Sequence, residues 1–204
     1  MKYMPLFIDL HDREILVIGG GHVALRRGRQ YVEAGARLTV VAPEILPELA
    51  ALPRTTVQVR PAGPADVERR YFMVLIASSD PATNDSIAAA CRQADLLFNR
   101  SDRFEDGNFI HGSLVSEGDI INATVAGGVP AVSQYLQKKI GGLLTPELLK
   151  LSALLVELRP AIIKSQKSGK PRQKALADLV NDATLARLRD EPIENIRQEI
   201  LAWL

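Results

Sequence analysis

The chain has 204 residues, 47% of them hydrophobic, and a formal net charge of +1 from 25 basic and 24 acidic residues. That composition excludes a disordered tail and supplies no bulk field to draw nucleic acid or an anionic membrane. The single cysteine, Cys91, excludes an internal disulfide and a paired-cysteine zinc site, and reads as a small buried hydrophobe suited to a reducing compartment. From the first residue onward, Pro5 and Asp9 break the apolar start too early for a signal sequence. No apolar run approaches the roughly 20 residues that span a bilayer, so a soluble, cytoplasmic protein is expected.

Leu6 to Leu10 is a short apolar segment, and His11-Asp12-Arg13-Glu14 turns the chain into Ile15-Leu16-Val17-Ile18, a β-branched run that reads as a buried strand. It stops at Gly19-Gly20-Gly21 and opens into a helical pattern, His22 to Ala34, with Gly35 past its end. Ala24, Gly28 and Val32 share one narrow face of that helix. Gly28 inside it implies close contact with the sheet, since glycine there costs roughly 1 kcal/mol relative to alanine. Arg37 to Val41 is a second strand ended by Ala42-Pro43, which completes a strand–helix–strand unit. Thr56 to Val59 is a further strand.

Tyr71 to Ala77 is apolar throughout, as a parallel strand covered on both faces should be. Asp80 is a good N-cap and Pro81 a good first helical residue, so a helix is expected to about Ala94. Leu96 to Asn99 is the next strand, followed by a charged loop from Arg100 to Gly107. This alternation predicts an α/β fold with an open, mostly parallel, doubly wound sheet. After about residue 108 the pattern changes: Phe109 to Val115 and Ile120 to Val125 read as two strands joined by a tight connection. A helix then ends near Gly141-Gly142. Thr145-Pro146 starts a long helix that Pro160 is expected to kink or interrupt. Arg159, Lys164, Lys167, Lys170, Arg172 and Lys174 carry no acid between them, which makes a solvated face or a landing strip for a polyanion. Short helices complete the chain to Trp203-Leu204.

In such sheets ligands bind beyond the carboxyl ends of the strands. Three clusters fall there: Gly19 to Ala24, Ser78-Ser79-Asp80, and Asn99 to Asp102. In the dinucleotide fingerprint Gly19 permits the turn, Gly21 lets the backbone approach a pyrophosphate, and Ala24 holds the small position where helix meets sheet. The acid that should hold a ribose is matched only by the late Glu44. No arginine follows the strand to hold a 2′-phosphate, so NAD is favoured over NADP. Asp102 follows the fifth strand, where a carboxylate can take a proton as hydride leaves for the cofactor. Its other reading is a loop aspartate capping a turn. His11, His22 and His111 show no metal-ligand spacing, and no metal site is expected.

These residues resemble the precorrin-2 dehydrogenase, or sirohydrochlorin-forming, module of siroheme synthases. The similarity is carried by Tyr3 to Phe7, Gly19 to Ala24 with Arg26-Arg27, Glu33 to Ala36, Leu38 to Pro43, Ala77 to Asp80 with Asn84, Asn99 to Asp102, and Phe109-Ile110 with Ser113. It covers residues 3 to 150 in order; beyond them the chain matches only in being helical and basic. The resemblance implies a Rossmann domain (1–108) that binds NAD, a dimerisation segment (109–144) and a helical C-terminal domain (145–204) in a homodimer. It implies NAD contacts from Gly19, Gly20, Gly21, His22, Val23, Ala24, Ala42, Pro43, Ser78, Ser79, Asp80 and Asn84. Asp102 matches the catalytic aspartate. Asn99, Arg100, Ser113, Thr124, Gly127 and Gly128 are expected at the substrate, and Arg103, Lys138 and Lys139 suit its carboxylates.

The implied reaction gives a hydride from precorrin-2 to NAD and protons to a base or solvent, forming sirohydrochlorin, on the way to siroheme or a cobalamin-type product. Some members also insert ferrous iron, and cobaltous ion is a further substrate to test. Three departures bear on that step more than on dehydrogenation. Thr124 to Pro130 lacks most of the family's hydroxyls, His111-Gly112 stands where an apolar residue and proline are usual, and Arg100-Ser101 replaces an apolar pair. The alternative function is a non-enzymatic module of the same fold that senses NAD or carries a tetrapyrrole. An ordinary small-molecule dehydrogenase would need a catalytic His, Lys or Tyr, and none is placed by the sheet.

Overall fold

The computed structural model describes residues 3–127, 129–165 and 170–203. It divides into two compact units, Met1–His111 and Gly112–Leu204. The first holds a five-stranded parallel sheet in the order β3-β2-β1-β4-β5, from β1 (Glu14–Ile18), β2 (Arg37–Ala42), β3 (Thr55–Val59), β4 (Met73–Ile76) and β5 (Leu97–Arg100). Helix α1 (His22–Glu33) joins β1 to β2, and α3 (Pro81–Ala94) joins β4 to β5. Successive strand residues point to opposite faces, so β1 and β4 feed two cores. Ile15, Val17, Met73 and Leu75 pack with α1, while Leu16, Ile18, Val74 and Ile76 pack with α3 residues Ile87, Ala88 and Cys91. This double burial is why the two strands read as unbroken apolar runs.

Gly28 lies against Leu38 of β2 and against Leu49 and Leu52, where an added Cβ would come within 3.2–3.3 Å of three methyls. Leu49 belongs to α2 (Pro47–Ala50), a one-turn helix that the pattern did not announce. Leu6 to Leu10 forms no strand. Asp80 caps α3 as expected, its carboxylate accepting from the backbone N–H groups of Ala82 and Thr83. Arg100 belongs to β5 rather than to the loop after it, paired in register with Ile76.

The second unit opens with an antiparallel hairpin, β6 (Ser113–Glu117) and β7 (Ile120–Thr124), turned at Gly118 with φ +55°. The first strand starts four residues later than expected, because the chain from Asn108 to Phe109 is tied back onto β5. The N–H of Asn108 donates to the Phe98 carbonyl, and the Asn99 amide donates to that of Phe109. Helix α4 (Pro130–Gly141) packs on β6. Helices α5 (Pro146–Lys164), α6 (Lys170–Leu179), α7 (Asp182–Asp190) and α8 (Ile193–Trp203) follow, and Leu151, Leu154, Leu158, Ile162, Leu188, Ile196 and Ile200 form their core. Pro160 does not interrupt α5: Leu158 and Ile162 are buried on either side of it, and that packing carries the helix across the missing N–H donor. Of the basic run, Lys167 and the side chains of Lys170 and Arg172 lie outside the described residues.

Candidate functional site

The strand order reverses between β1 and β4, and ligands of open α/β sheets bind at that switch point. There a cleft of about 720 Å³ opens, lined by the ends of β1, β2 and β4. Its walls are Gly19, Gly20 and Gly21; Ala42, Pro43, Glu44, Ile45 and Leu46; and Ala77, Ser78, Ser79 and Asp80, with Pro61, Ala62 and Thr83. The glycines are fixed by neighbours. Gly19 has φ +115°, and a Cβ there would lie 2.3 Å from the Ala77 carbonyl oxygen, so the turn presses against the end of β4. A Cβ on Gly20 would lie 1.9 Å from the Glu44 carbonyl oxygen, while beside Gly21 the space is open. Gly21 is the N-cap of α1, with no side-chain cap and no acid in the first turn. The first N–H groups of the helix are therefore free for an anion, and the donor set fits the pyrophosphate of a dinucleotide.

Eight of the twelve residues expected to contact NAD line this cleft: Gly19, Gly20, Gly21, Ala42, Pro43, Ser78, Ser79 and Asp80. His22 and Val23 are exposed on the first turn of α1 outside it, and Ala24 is fully buried where the helix meets the sheet. Asn84 lies behind the cleft wall. It is 1% exposed and reaches inward, its Oδ1 accepting from Ser78 Oγ at 2.7 Å and its amide donating to the Ser78 carbonyl at 3.1 Å. Its side chain is also near enough to help hold the Asp102 carboxyl low. Asn84 thus ties the first turn of α3 to the Ser78 wall of the cleft.

Arg100, expected at the substrate, is buried beneath α3. Alternation along β5 puts it on the face of Phe98, beneath α3, and its side chain is 0% exposed. Its guanidinium donates to Asp102 through Nε at 3.1 Å and Nη2 at 2.6 Å, and Nη1 lies 2.5 Å from Asp85 and 2.7 Å from Asp106. Four of its five N–H donors are thus engaged by three carboxylates. Asn99, 6% exposed, likewise spends its amide on the Phe109 carbonyl. In the second unit Ser113 and Thr124 stand opposite each other as a cross-strand pair, and Thr124 Oγ1 donates to Asn122 at 3.2 Å. Gly127 forms the turn after β7 with φ +47°, and Gly128 lies outside the described residues.

Asp102 follows β5, where the N–H of Ser101 still donates to the Ile76 carbonyl of β4, so the acid stands beside the strand end that carries Ser78. It does not line the cleft itself. The hydrogen bonds from Arg100, against the cost of burial, draw its carboxyl down to about 2. His111 was read as a histidine without metal-ligand spacing and as a departure from a family pattern, with no role in the site. Its Nε2 and the Tyr31 hydroxyl share a hydrogen bond at 2.6 Å, and burial, with Arg27 and Arg26 nearby, pushes the imidazole down to about 3. Among the described residues no three His, Cys, Asp or Glu side chains are grouped to hold a metal ion, and no helix is long and apolar enough to cross a membrane.

Residues 6–113 match the family described as putative NAD(P)-binding. The siroheme synthase of Tolumonas auensis is 34% identical over 170 residues, 83% of this chain but 36% of its own length. That of Salmonella paratyphi A is 27% identical over 220 residues, 98% of this chain and 48% of its own. The chain therefore spans half or less of the curated relatives it matches. The solved structure of SirC, a precorrin-2 dehydrogenase, superposes with a TM-score of 0.76 at 25% identity, covering 92% of this chain and 96% of that one.

Proposed function

Because the chain belongs to the putative NAD(P)-binding family through residues 6–113, we propose that it is an NAD-dependent dehydrogenase that oxidises precorrin-2 to sirohydrochlorin. The observation that carries this reading is the uncapped start of α1 behind the glycine turn, facing the cleft at the switch point, in a chain superposable along 92% of its length on a precorrin-2 dehydrogenase. When bound, the nicotinamide cofactor supplies the hydride acceptor. Gly19, Gly20 and Gly21 admit its pyrophosphate to the free N–H groups of α1, and Ala42, Pro43 and Glu44 form the wall for the adenosine half. The Glu44 carboxylate can accept from a ribose hydroxyl and repels a 2′-phosphate, and among the described residues no arginine lines the cleft, which favours NAD over NADP.

Ser78 and Ser79 form the wall at the end of β4 and bring the nicotinamide half toward Asp102. Oxidation removes one hydride and one proton from the tetrapyrrole. The Asp102 carboxylate offers a fixed negative charge to the cation that hydride loss leaves, and a place for the departing proton. Ser113 and Thr124 are retained as substrate contacts on the hairpin.

The test is an anaerobic assay with purified protein, enzymatically made precorrin-2 and NAD+, following NADH and the tetrapyrrole spectrum together. NADH appearing in step with sirohydrochlorin is the expected result, with NADP+ poorer by at least about tenfold in kcat/KM. Ferrous or cobaltous ion added afterwards, against a control without protein, tests whether metal is also a substrate. Measurable NAD+ binding without turnover would instead assign a sensing or carrying role.

A further inference from the structure

Asp85, Asp102 and Asp106 converge on one buried guanidinium, but they do not depend on it equally. Asp85 also lies 3.4 Å from Arg103 Nη2, and Asp106 lies 2.6 Å from Arg92 Nη2. Among the described residues, Asp102 has ion pairing from Arg100 alone, in a two-point fork that engages both carboxylate oxygens. Asn84, which also helps hold that carboxyl low, is bonded to Ser78 on the cleft wall. A two-point fork fixes the plane of a carboxylate as well as its distance, which a lysine ammonium does not.

We infer that Arg100 is a positioning residue for the proposed dehydrogenation: its buried fork sets the orientation and the negative charge of the Asp102 carboxylate beside the cofactor cleft. This inference rests on the reading of Asp102 as the catalytic group. Arg100 was expected at the substrate, and its full burial favours action through Asp102. The charges around the acid are Asp85 and Arg92 on α3 and Arg103 and Asp106 in the turn after β5. With the fork gone, Asp85 and Asp106 face Asp102 as like charges. The Asp102 carboxyl then rises from about 2 past its ordinary value.

The experiment compares the full chain with R100K, R100M and D102N under the anaerobic precorrin-2 assay. It reads kcat, KM for NAD+ and the pH profile from 4.5 to 8. D102N is expected to lose kcat by about a hundredfold or more. R100K keeps the charge without the fork, and is expected to keep the KM for NAD+ while kcat falls by about tenfold. The R100M rate should fall on the acid side at least about one pH unit above any fall in the parent, with R100K between them. If R100M does not fold, kcat and the acid side of R100K carry the test. R100 variants with the parent kcat and acid profile, beside an inactive D102N, would overturn the assignment of Arg100 alone. A D102N that turns over like the parent would overturn the catalytic reading of Asp102 itself, and the inference with it.

Discussion

A backbone oxygen decides what Gly20 can become. A Cβ at that position would meet the Glu44 carbonyl oxygen at 1.9 Å and the Ile45 Cα at 2.7 Å, both main-chain atoms that no rotamer change removes. G20A is therefore expected to displace the loop between β2 and α2, and to weaken NAD+ binding by about tenfold or more in calorimetric titration. An affinity like that of the parent would show that the loop moves freely. His111 makes a second prediction. The folded chain keeps its imidazole neutral down to about 3, whereas the unfolded chain takes up a proton near the ordinary value of about 6.5. Between those values the unfolded state binds more protons, so stability is lost as pH falls through that window. Urea unfolding should show the parent losing about 1–2 kcal/mol between pH 7 and pH 5. H111Q, which keeps a polar partner for the Tyr31 hydroxyl, should lose less; equal losses would place the proton uptake elsewhere.

At the scale of elements, legibility follows how local the causes are. The unit β1–α1–β2 was readable because a β-branched run, a glycine turn and a helical period lie within about one turn of each other in sequence. The Asp80-Pro81 start of α3 was readable for the same reason, and its cap bonds are present. The surroundings of Arg100 and Asn84 were not readable because they are assembled from β4, α3, β5 and the following turn. The strand pattern held half of the answer, since Phe98 and Arg100 must share a face. The other half, a buried charge satisfied by three acids, is a tertiary fact. Pro160 failed in the opposite direction: the local rule to break a helix was overridden by the core on the inner face of α5. The ring itself is exposed, so P160A forfeits little packing and restores a donor to the helix. It is expected to stabilise the second unit by about 1–3 kcal/mol, read as a higher melting temperature. A lower one would show that the ring supports the fold.

At the scale of the molecule, the exposed apolar surface carries the proposal of a homodimer. Val132, Tyr135 and Leu136 share one side of α4 at 47, 61 and 39% exposure, and Leu114 and Ile121 lie outward on the hairpin at 43 and 53%. A side of α4 with three large apolar residues in water is an unpartnered surface, and a second copy of the chain, as the family resemblance implies, would cover it. Y135D places a charge in that patch and is expected to weaken self-association by about tenfold or more, read as a shift from dimer to monomer in sedimentation velocity. An unchanged dimer would move the interface elsewhere. The cleft at the switch point is lined entirely by residues of the first unit, between Ile18 and Thr83, so the monomer should bind NAD+ with the parent affinity. Ser113 and Thr124, the retained substrate contacts, belong to the second unit together with the patch. Y135D is therefore expected to separate the two activities: cofactor binding unchanged by titration, and precorrin-2 turnover reduced in proportion to the fraction of monomer. Loss of NAD+ affinity along with the dimer would mean that the cleft depends on the partner subunit.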